Sequence, residues 1–153
     1  MKPGIDYVGV CTMFVCYDIE GRVLMHQRGP ECRDEHGRWC GGAGQLEHGE
    51  QWADCVAREV REEYGVEPVA FDFCGVTNVI RESPDGPTHW VALLFAVFID
   101  EPERVAIQEP GKMTALAWFS RHALPSLRHS QFDKHFEIID RRISAHLQRP
   151  GGI

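Results

Sequence analysis

The chain of 153 residues carries 23 acidic and 16 basic side chains, a formal charge of -7, with 43% hydrophobic and 25% charged residues. The length is typical of one domain, so we expect residues 1–153 to form a single domain, and the composition is that of neither a disordered chain nor a membrane protein. The acidic surplus argues against a protein that holds a nucleic-acid polymer by its phosphates, because such proteins usually carry a basic face.

The first half of the chain predicts a strand pair, a loop and a helix. Residues 7–17 are β-branched and aromatic, and a turn-like segment separates them from a second apolar run at 23–26. The polar, turn-rich residues 28–38 indicate a surface loop. After a glycine-rich stretch, the pattern at 51–64 predicts a helix, with Gly65 as its C-cap.

The second half of the chain predicts three strands and a final helix. Strands are expected at about 69–81 and 89–99, joined by a segment dense in turn residues, and a third apolar run lies near 116–119. Apolar residues at helical spacing predict a helix at about 131–146. This order indicates an α/β fold in which a mixed β-sheet carries helices on its faces.

Cysteine usage and the apolar runs indicate where the protein is found. The six cysteines show neither a C-x-x-C pair nor a spacing typical of zinc sites. The chain opens with MKPGIDY, without the basic and apolar regions of a signal peptide. Its longest apolar run, residues 90–99, is too short to span a membrane. We expect a reduced, cytoplasmic protein with no membrane partner.

The first predicted helix carries an unusual concentration of carboxylates. Glu63 lies on the seam of its apolar sector, and Glu59 precedes Glu62 by three residues and Glu63 by four, so like charges repel. A helix built only for stability would avoid this, whereas three convergent oxygen donors suit a hard divalent cation. A solvated face with ion pairs, such as Arg58 with Glu62, is the alternative interpretation.

The residues around this helix match a known motif. Gly44 is followed after five residues by Glu50, and after a further seven by the segment REVREEYGV at 58–66. Each fixed position agrees with the Nudix box, G-x5-E-x7-R-E-U-x-E-E-x-G-U, in which U is aliphatic. The chain therefore resembles a Nudix hydrolase, and the resemblance implies the Nudix α/β/α sandwich with a mixed β-sheet.

The resemblance extends outside the box and covers roughly residues 7 to 125. Trp39 and the glycines after it are similar to the family's approach to the box, although Gly42 stands where the family usually has proline. Downstream, three segments resemble those of MutT-like, nucleotide-cleaning members: EPGK at 109–112, WFS at 118–120 and LP at 124–125.

The resemblance implies divalent-metal-dependent hydrolysis of a nucleoside diphosphate linked to another group, with a nucleoside triphosphate cleaved to monophosphate and pyrophosphate as the favoured reaction. Hydrolases of ADP-ribose, nucleotide sugars and dinucleotide polyphosphates use the same box, so these substrates stay open. A domain that senses a nucleotide without cleaving it is an alternative of another class, although the box glutamates are intact. The implied partner is a small nucleotide, and homodimers are common in the family.

The family's catalytic and metal-binding residues fall on particular positions of this sequence. By the resemblance, Mg²⁺ or Mn²⁺ is held by three carboxylates, those of Glu59, Glu62 and Glu63. The carbonyl oxygen of Gly44 is a further candidate ligand. Glu63 or Glu59 is the expected general base, and Arg58 is expected to orient the carboxylates.

The resemblance gives four other residues supporting roles. Arg28 is similar to the family arginine that touches substrate phosphate, and Glu109 is a second substrate-binding candidate and a weaker candidate for the base. Glu50 and Gly65 are expected to support the structure of the box.

Two further groups of polar residues carry weaker signals. Asn78 and Arg81, at the end of a predicted strand, are candidates for ligand contact, with ordinary surface roles as the main expectation. The eight histidines lack ligand-like spacing, so we expect most of them to have no metal-binding role.

Overall fold

The computed structural model describes residues 1–149, which contain seven strands and two helices. The strands are β1 (Gly9–Tyr17), β2 (Arg22–Arg28), β3 (Trp39–Cys40), β4 (Gly42–Gln45), β5 (Ala70–Ser83), β6 (Gly86–Phe98) and β7 (Met113–Ser120). The helices are α1 (Trp52–Tyr64) and α2 (Phe132–Leu147), and a single 3₁₀ turn covers Pro102–Arg104.

The strands form one mixed sheet. Its main path runs β3-β2-β1-β6-β5, with β4 also paired to β1 and β7 to β2. Strands β1 and β6 are parallel, in register from Gly9 opposite Trp90 to Tyr17 opposite Phe98, and the other pairs are antiparallel. Strand β6 is buried from position 92 to 98, which explains its nearly continuous apolar sequence. The mixed sheet confirms the predicted fold class.

Two apolar layers fill the space between the sheet and its helices. On one face, the buried apolar residues of α2 are Phe132, Phe136, Ile139 and Ile143. On the other face, the buried core residues of α1 are Val56, Val60 and Tyr64. Helices therefore cover both faces of the sheet, which confirms the predicted α/β/α sandwich.

The sheet differs from the sequence expectation in two places. Strands β5 and β6 form one long hairpin that includes most of the predicted turn, and their register runs as far as Ser83 opposite Gly86. The short strands β3 and β4 were not expected, because glycine has low strand propensity. They form because β3 pairs with β2 and β4 pairs with β1, with Gly42 opposite Phe14 and Gly44 opposite Thr12.

The first residue of α1 is a large apolar side chain that lies at the surface. Trp52 is 49% exposed and stacks on Phe73, with ring centroids 5.5 Å apart. Position 52 precedes Cys55, the first buried residue of the helix, by almost one turn.

All six cysteines are free thiols. Within residues 1–149, neither helix has the length and hydropathy that a membrane span requires.

Candidate active site

The box helix α1 ends as its sequence predicts. Gly65 adopts a left-handed conformation with φ 73°, and its N–H donates to the carbonyl of Arg61 at 3.0 Å. A side chain at this position would be strained, so glycine ends the helix and turns the chain away. The buried face of α1 rests on the sheet, and this places the box carboxylates beside the glycine-rich strand β4.

Gly44 allows a box carboxylate to lie against the backbone of β4. A Cβ atom at residue 44 would lie only 2.1 Å from Cδ of Glu59, far inside van der Waals contact. The glycine of the box is therefore required by the position of the Glu59 side chain.

Gly42 shows a similar close approach, and this explains the departure from the family pattern. A Cβ at residue 42 would lie 2.2 Å from the Phe14 ring and 2.7 Å from Oε2 of Glu63. Proline carries a Cβ, so it does not fit beside Phe14 in this chain.

Glu63 has a buried oxygen without a partner. Among residues 1–149, its Oε2 has no hydrogen-bond donor, although the Ala43 N–H donates to the carboxylate. Burial, followed by the nearby charge of Glu59, raises the pKa of Glu63 well above its ordinary value. Buried polar atoms without partners are rare in folded proteins, and this one lies where a cation would satisfy it.

Four carboxylates share one cleft of about 270 Å³. They are those of Glu59, Glu62, Glu63 and Glu109. Burial is also the main cause that raises the pKa of Glu59. The Glu109 carboxylate pairs with Lys112 at 3.1 Å, and Lys112 lines the same cleft. The sequence had not indicated Lys112 as a site residue. The cleft thus brings together hard oxygen donors and one ammonium group.

Arg58 ties the loop before α1 to a box carboxylate. Its Nε donates to Glu50 at 2.8 Å and its Nη1 to Glu59 at 2.7 Å. Its Nη2 donates to the carbonyl of Gln45 at 3.2 Å. The hydrogen bonds from Arg58 lower the pKa of Glu50 to about 2. The surface pair with Glu62 is longer, at 3.5 Å, so the closer contacts of Arg58 are those with Glu59 and Glu50.

A second cavity of about 250 Å³ continues from the cleft. Arg28 and Ala43 line both, whereas Gly44 lines only the second cavity. The wall of this cavity has an apolar or weakly polar group of side chains and a charged or ionisable group. The first group contains Cys11, Met13, Val79 and Trp90. The second group contains Arg28, Arg33, Asp34, Arg81 and His129. A ligand that spans both spaces would pass Arg28.

The two candidates on β5 are separated by the structure. Arg81 lines the second cavity, whereas Asn78 is exposed and its amide oxygen contacts Nε2 of His89 at 2.9 Å. Residues three apart on a strand point to opposite faces, so the two side chains do not share a site.

The loop from β2 to β3 supplies residues that the sequence did not indicate. Asp34, Glu35 and His129 bring ligand-type atoms within 4.8 Å of one another. However, Asp34 pairs with Arg28 and Arg81, and Glu35 pairs with Arg81 at 2.7 Å and contacts His129 at 2.8 Å. The carboxylates therefore belong to an ion-pair network. Nothing in the polar sequence of this loop reveals that its acids meet an arginine more than forty residues away.

The family model for the NUDIX domain matches residues 8–141, so the chain belongs to the Nudix family. This confirms the resemblance inferred from the box.

Solved structures share the fold. A MutT NUDIX hydrolase from Burkholderia pseudomallei superposes with a TM-score of 0.76 at 23% identity, covering 88% of this chain and 99% of that one. The E. coli dihydroneopterin triphosphate pyrophosphohydrolase gives 0.71 at 22% identity, covering 89% and 95%. The NUDIX domain of Shewanella oneidensis NrtR, complexed with ADP ribose, gives 0.67 at 16% identity, covering 95% and 90%. At these identities the likeness shows the fold alone.

Proposed function

We propose that this Nudix hydrolase cleaves a nucleoside diphosphate linked to another group, with a nucleoside triphosphate hydrolysed to monophosphate and pyrophosphate as the favoured reaction. The observation that carries the proposal is the convergence of four carboxylates in one cleft, one of them with a buried and unpartnered oxygen. Such a cluster costs free energy in a metal-free protein, because like charges repel and a buried charge is poorly solvated.

A divalent cation such as Mg²⁺ or Mn²⁺ fits this donor set, since both prefer oxygen ligands. Glu59, Glu62 and Glu63 would hold it, with the carbonyl of Gly44 as a further candidate ligand. When bound, the ion neutralises phosphate oxygens and lowers the pKa of a bound water.

The chain's own residues position and activate the reactants. Glu63 or Glu59 accepts a proton from the attacking water, since both carboxylates line the cleft in which that water would lie. Arg58 keeps Glu59 in its orientation by the 2.7 Å bond. Arg28, which lines both the cleft and the second cavity, would bind the phosphates of the substrate. Glu109 is positioned by Lys112 at the rim of the same cleft.

The choice of a triphosphate is supported by the downstream MutT-like segments and by the E. coli structural neighbour, whose name gives a triphosphate as substrate. ADP-ribose is kept as the alternative, since the Shewanella domain is complexed with it. The six free thiols support a reducing compartment, and we place the protein in the cytoplasm.

A substrate panel tests the proposal. Nucleoside triphosphates, ADP-ribose, nucleotide sugars and dinucleotide polyphosphates are incubated with increasing Mg²⁺ or Mn²⁺, and pyrophosphate and orthophosphate are measured separately. We expect metal-dependent pyrophosphate release from one or more triphosphates. Background rates for every substrate at every metal concentration would contradict the proposal and favour a nucleotide-sensing domain.

A further inference from the structure

Two arginines converge on one carboxylate where the cleft meets the second cavity. Nη2 of Arg28 donates to Oδ1 of Asp34 at 2.9 Å, and Nη1 of Arg81 donates to Oδ2 at 3.1 Å. The side chains of both arginines are mostly buried, at 19% and 26% exposure. Asp34 therefore bridges two guanidinium groups that come from different strands, β2 and β5.

The two acids of this network differ in how firmly they are held. Glu35 is 14% exposed and accepts hydrogen bonds from the backbone N–H and the hydroxyl of Ser130, at 2.8 and 2.9 Å, besides its contact with Arg81. Asp34 is 37% exposed, and in the described part of the chain both bonds of its carboxylate go to guanidinium groups. Asp34 is thus the acid that solvent or a ligand can displace.

The arginines would keep their places if the Asp34 carboxylate moved. Glu35 retains Arg81 at 2.7 Å, and Nε of Arg28 donates to the backbone carbonyl of residue 34 at 3.0 Å, a bond that does not involve the carboxylate. Rotation of the Asp34 side chain alone is enough to free the two guanidinium edges. Guanidinium forks bind carboxylate and phosphate oxygens with the same geometry.

We propose that Arg28 and Arg81 form an anion subsite beside the carboxylate cleft. In the absence of substrate, the Asp34 carboxylate occupies the place that a substrate phosphate takes when it binds. The subsite would take a phosphate outside the anhydride that is cleaved. This inference rests on the proposed function, because it assumes that the anhydride lies at the Nudix carboxylates. It favours nucleoside triphosphates over diphosphates whose second group is neutral, such as ADP-ribose.

The first test needs neither metal nor turnover. Binding of inorganic phosphate is measured by calorimetry in chelator, for the unmodified protein and for Asp34→Asn, Arg81→Gln and the remote control Arg104→Gln. Removal of the competing carboxylate in Asp34→Asn should strengthen phosphate binding about tenfold, and Arg81→Gln should weaken it by a similar factor. Arg104 is exposed and pairs with Glu101, so its variant should bind phosphate unchanged.

Three results would overturn the inference. Weaker phosphate binding in Asp34→Asn would mean that Asp34 only orients the arginines. Equal binding in Arg81→Gln and the unmodified protein would remove Arg81 from the subsite. Failure of the Asp34→Asn variant to bind phosphate at all would remove the subsite itself. Arg81→Lys, which keeps the charge, serves if Arg81→Gln does not fold, and it should lie between the two.

A second test separates an anion subsite from a neutral contact. With a triphosphate, Arg81→Gln should raise KM about tenfold, and with ADP-ribose it should raise KM by a much smaller factor. Equal effects on both substrates would show that Arg81 contacts a part common to them and would contradict the subsite. If no nucleotide is hydrolysed, the proposed function fails, while the phosphate titration still decides on the subsite.

Discussion

At the scale of single residues, Glu63 is the residue at which the proposed metal site would oppose stability. A carboxylate oxygen buried without a donor lowers stability in a metal-free protein. We predict that Glu63→Gln lowers metal-dependent hydrolysis roughly 100-fold or more, because a ligand and candidate base is lost. The thermal midpoint in chelator should stay the same or rise, since the neutral amide removes the buried charge.

Steady-state kinetics and thermal denaturation check this prediction. Glu67→Gln is the matched control, because Glu67 is exposed just beyond the helix and pairs with the exposed Arg61. A fully active Glu63→Gln variant would exclude Glu63 from the site.

Gly44 gives a second prediction, which depends on space rather than charge. In Gly44→Ala the new methyl group would overlap Glu59, so the Glu59 side chain must move out of its place. We predict weaker Mn²⁺ binding and slower hydrolysis, by roughly tenfold or more, as expected when a ligand is displaced. In the control Gly75→Ala, the new Cβ would meet Ile138 at 3.4 Å, an ordinary contact. Equal Mn²⁺ affinities in the two variants would contradict the packing argument.

At the scale of elements, Arg58 joins the loop after β4 to the helix α1. Lysine at this position keeps the charge but cannot reach Glu50, Glu59 and the Gln45 carbonyl together. We predict that Arg58→Lys lowers the free energy of unfolding by about 1–3 kcal/mol and also slows hydrolysis. Arg61→Lys, which changes an exposed ion pair on the same helix, should cost less than about 1 kcal/mol. Urea denaturation compares them, and equal losses would contradict the proposed clamp.

The packing of α2 on the sheet predicts a pH dependence of stability. His135 is 3% exposed, its Nε2 contacts the hydroxyl of Thr77 at 2.9 Å, and burial lowers its pKa from 6.5 to about 4. Between pH 4 and pH 6.5, the His135 side chain is therefore protonated in the unfolded chain but neutral in the folded protein. Stability should fall as the pH is lowered from 6.5 to 4, with a contribution of up to about 1.4 kcal/mol per pH unit from this residue.

Unfolding curves at a series of pH values measure this dependence. His135→Gln can still contact Thr77 but does not titrate, so its stability should change less steeply with pH over the same range. His122→Gln, at an exposed position after β7, should keep the slope of the unmodified protein. A slope in His135→Gln as steep as in the unmodified protein would assign the pH dependence to other groups, such as the buried His26.

At the scale of the whole molecule, the sequence predicted those features whose signals are local. Helix α1 and the buried strand β6 follow from periodicity and composition, and the ending at Gly65 follows from the conformation that glycine permits. The carboxylates of the box could be placed on one side of one helix, because helix geometry fixes their relative directions.

The remaining features depend on contacts between distant parts of the chain. Strand β4 exists because it pairs with β1, some thirty residues earlier, and not because glycine favours strands. The bridge from Arg28 through Asp34 to Arg81 joins two strands and a loop, and no local pattern in a single sequence encodes it. The separation of Asn78 from Arg81 is different, because the local alternation of a strand directs residues three apart to opposite faces.

The cleft accounts for part of the acidic surplus of the chain. Four of the 23 acidic residues meet there, and the ammonium of Lys112 pairs with one of them. A divalent ion would offset two of the remaining charges. The acidity that argues against binding of a nucleic-acid polymer is thus compatible with binding of a small phosphorylated ligand together with a metal.

The most direct test measures metal binding and turnover together. Mn²⁺ is titrated into the unmodified protein and into Glu63→Gln, free Mn²⁺ is followed by electron paramagnetic resonance, and pyrophosphate release from the best triphosphate is measured in the same samples. We predict that the rate follows bound Mn²⁺ in the unmodified protein and that Glu63→Gln loses both tight binding and turnover. Undiminished Mn²⁺ affinity in Glu63→Gln, or pyrophosphate release in chelator, would contradict a metal centre at the box carboxylates.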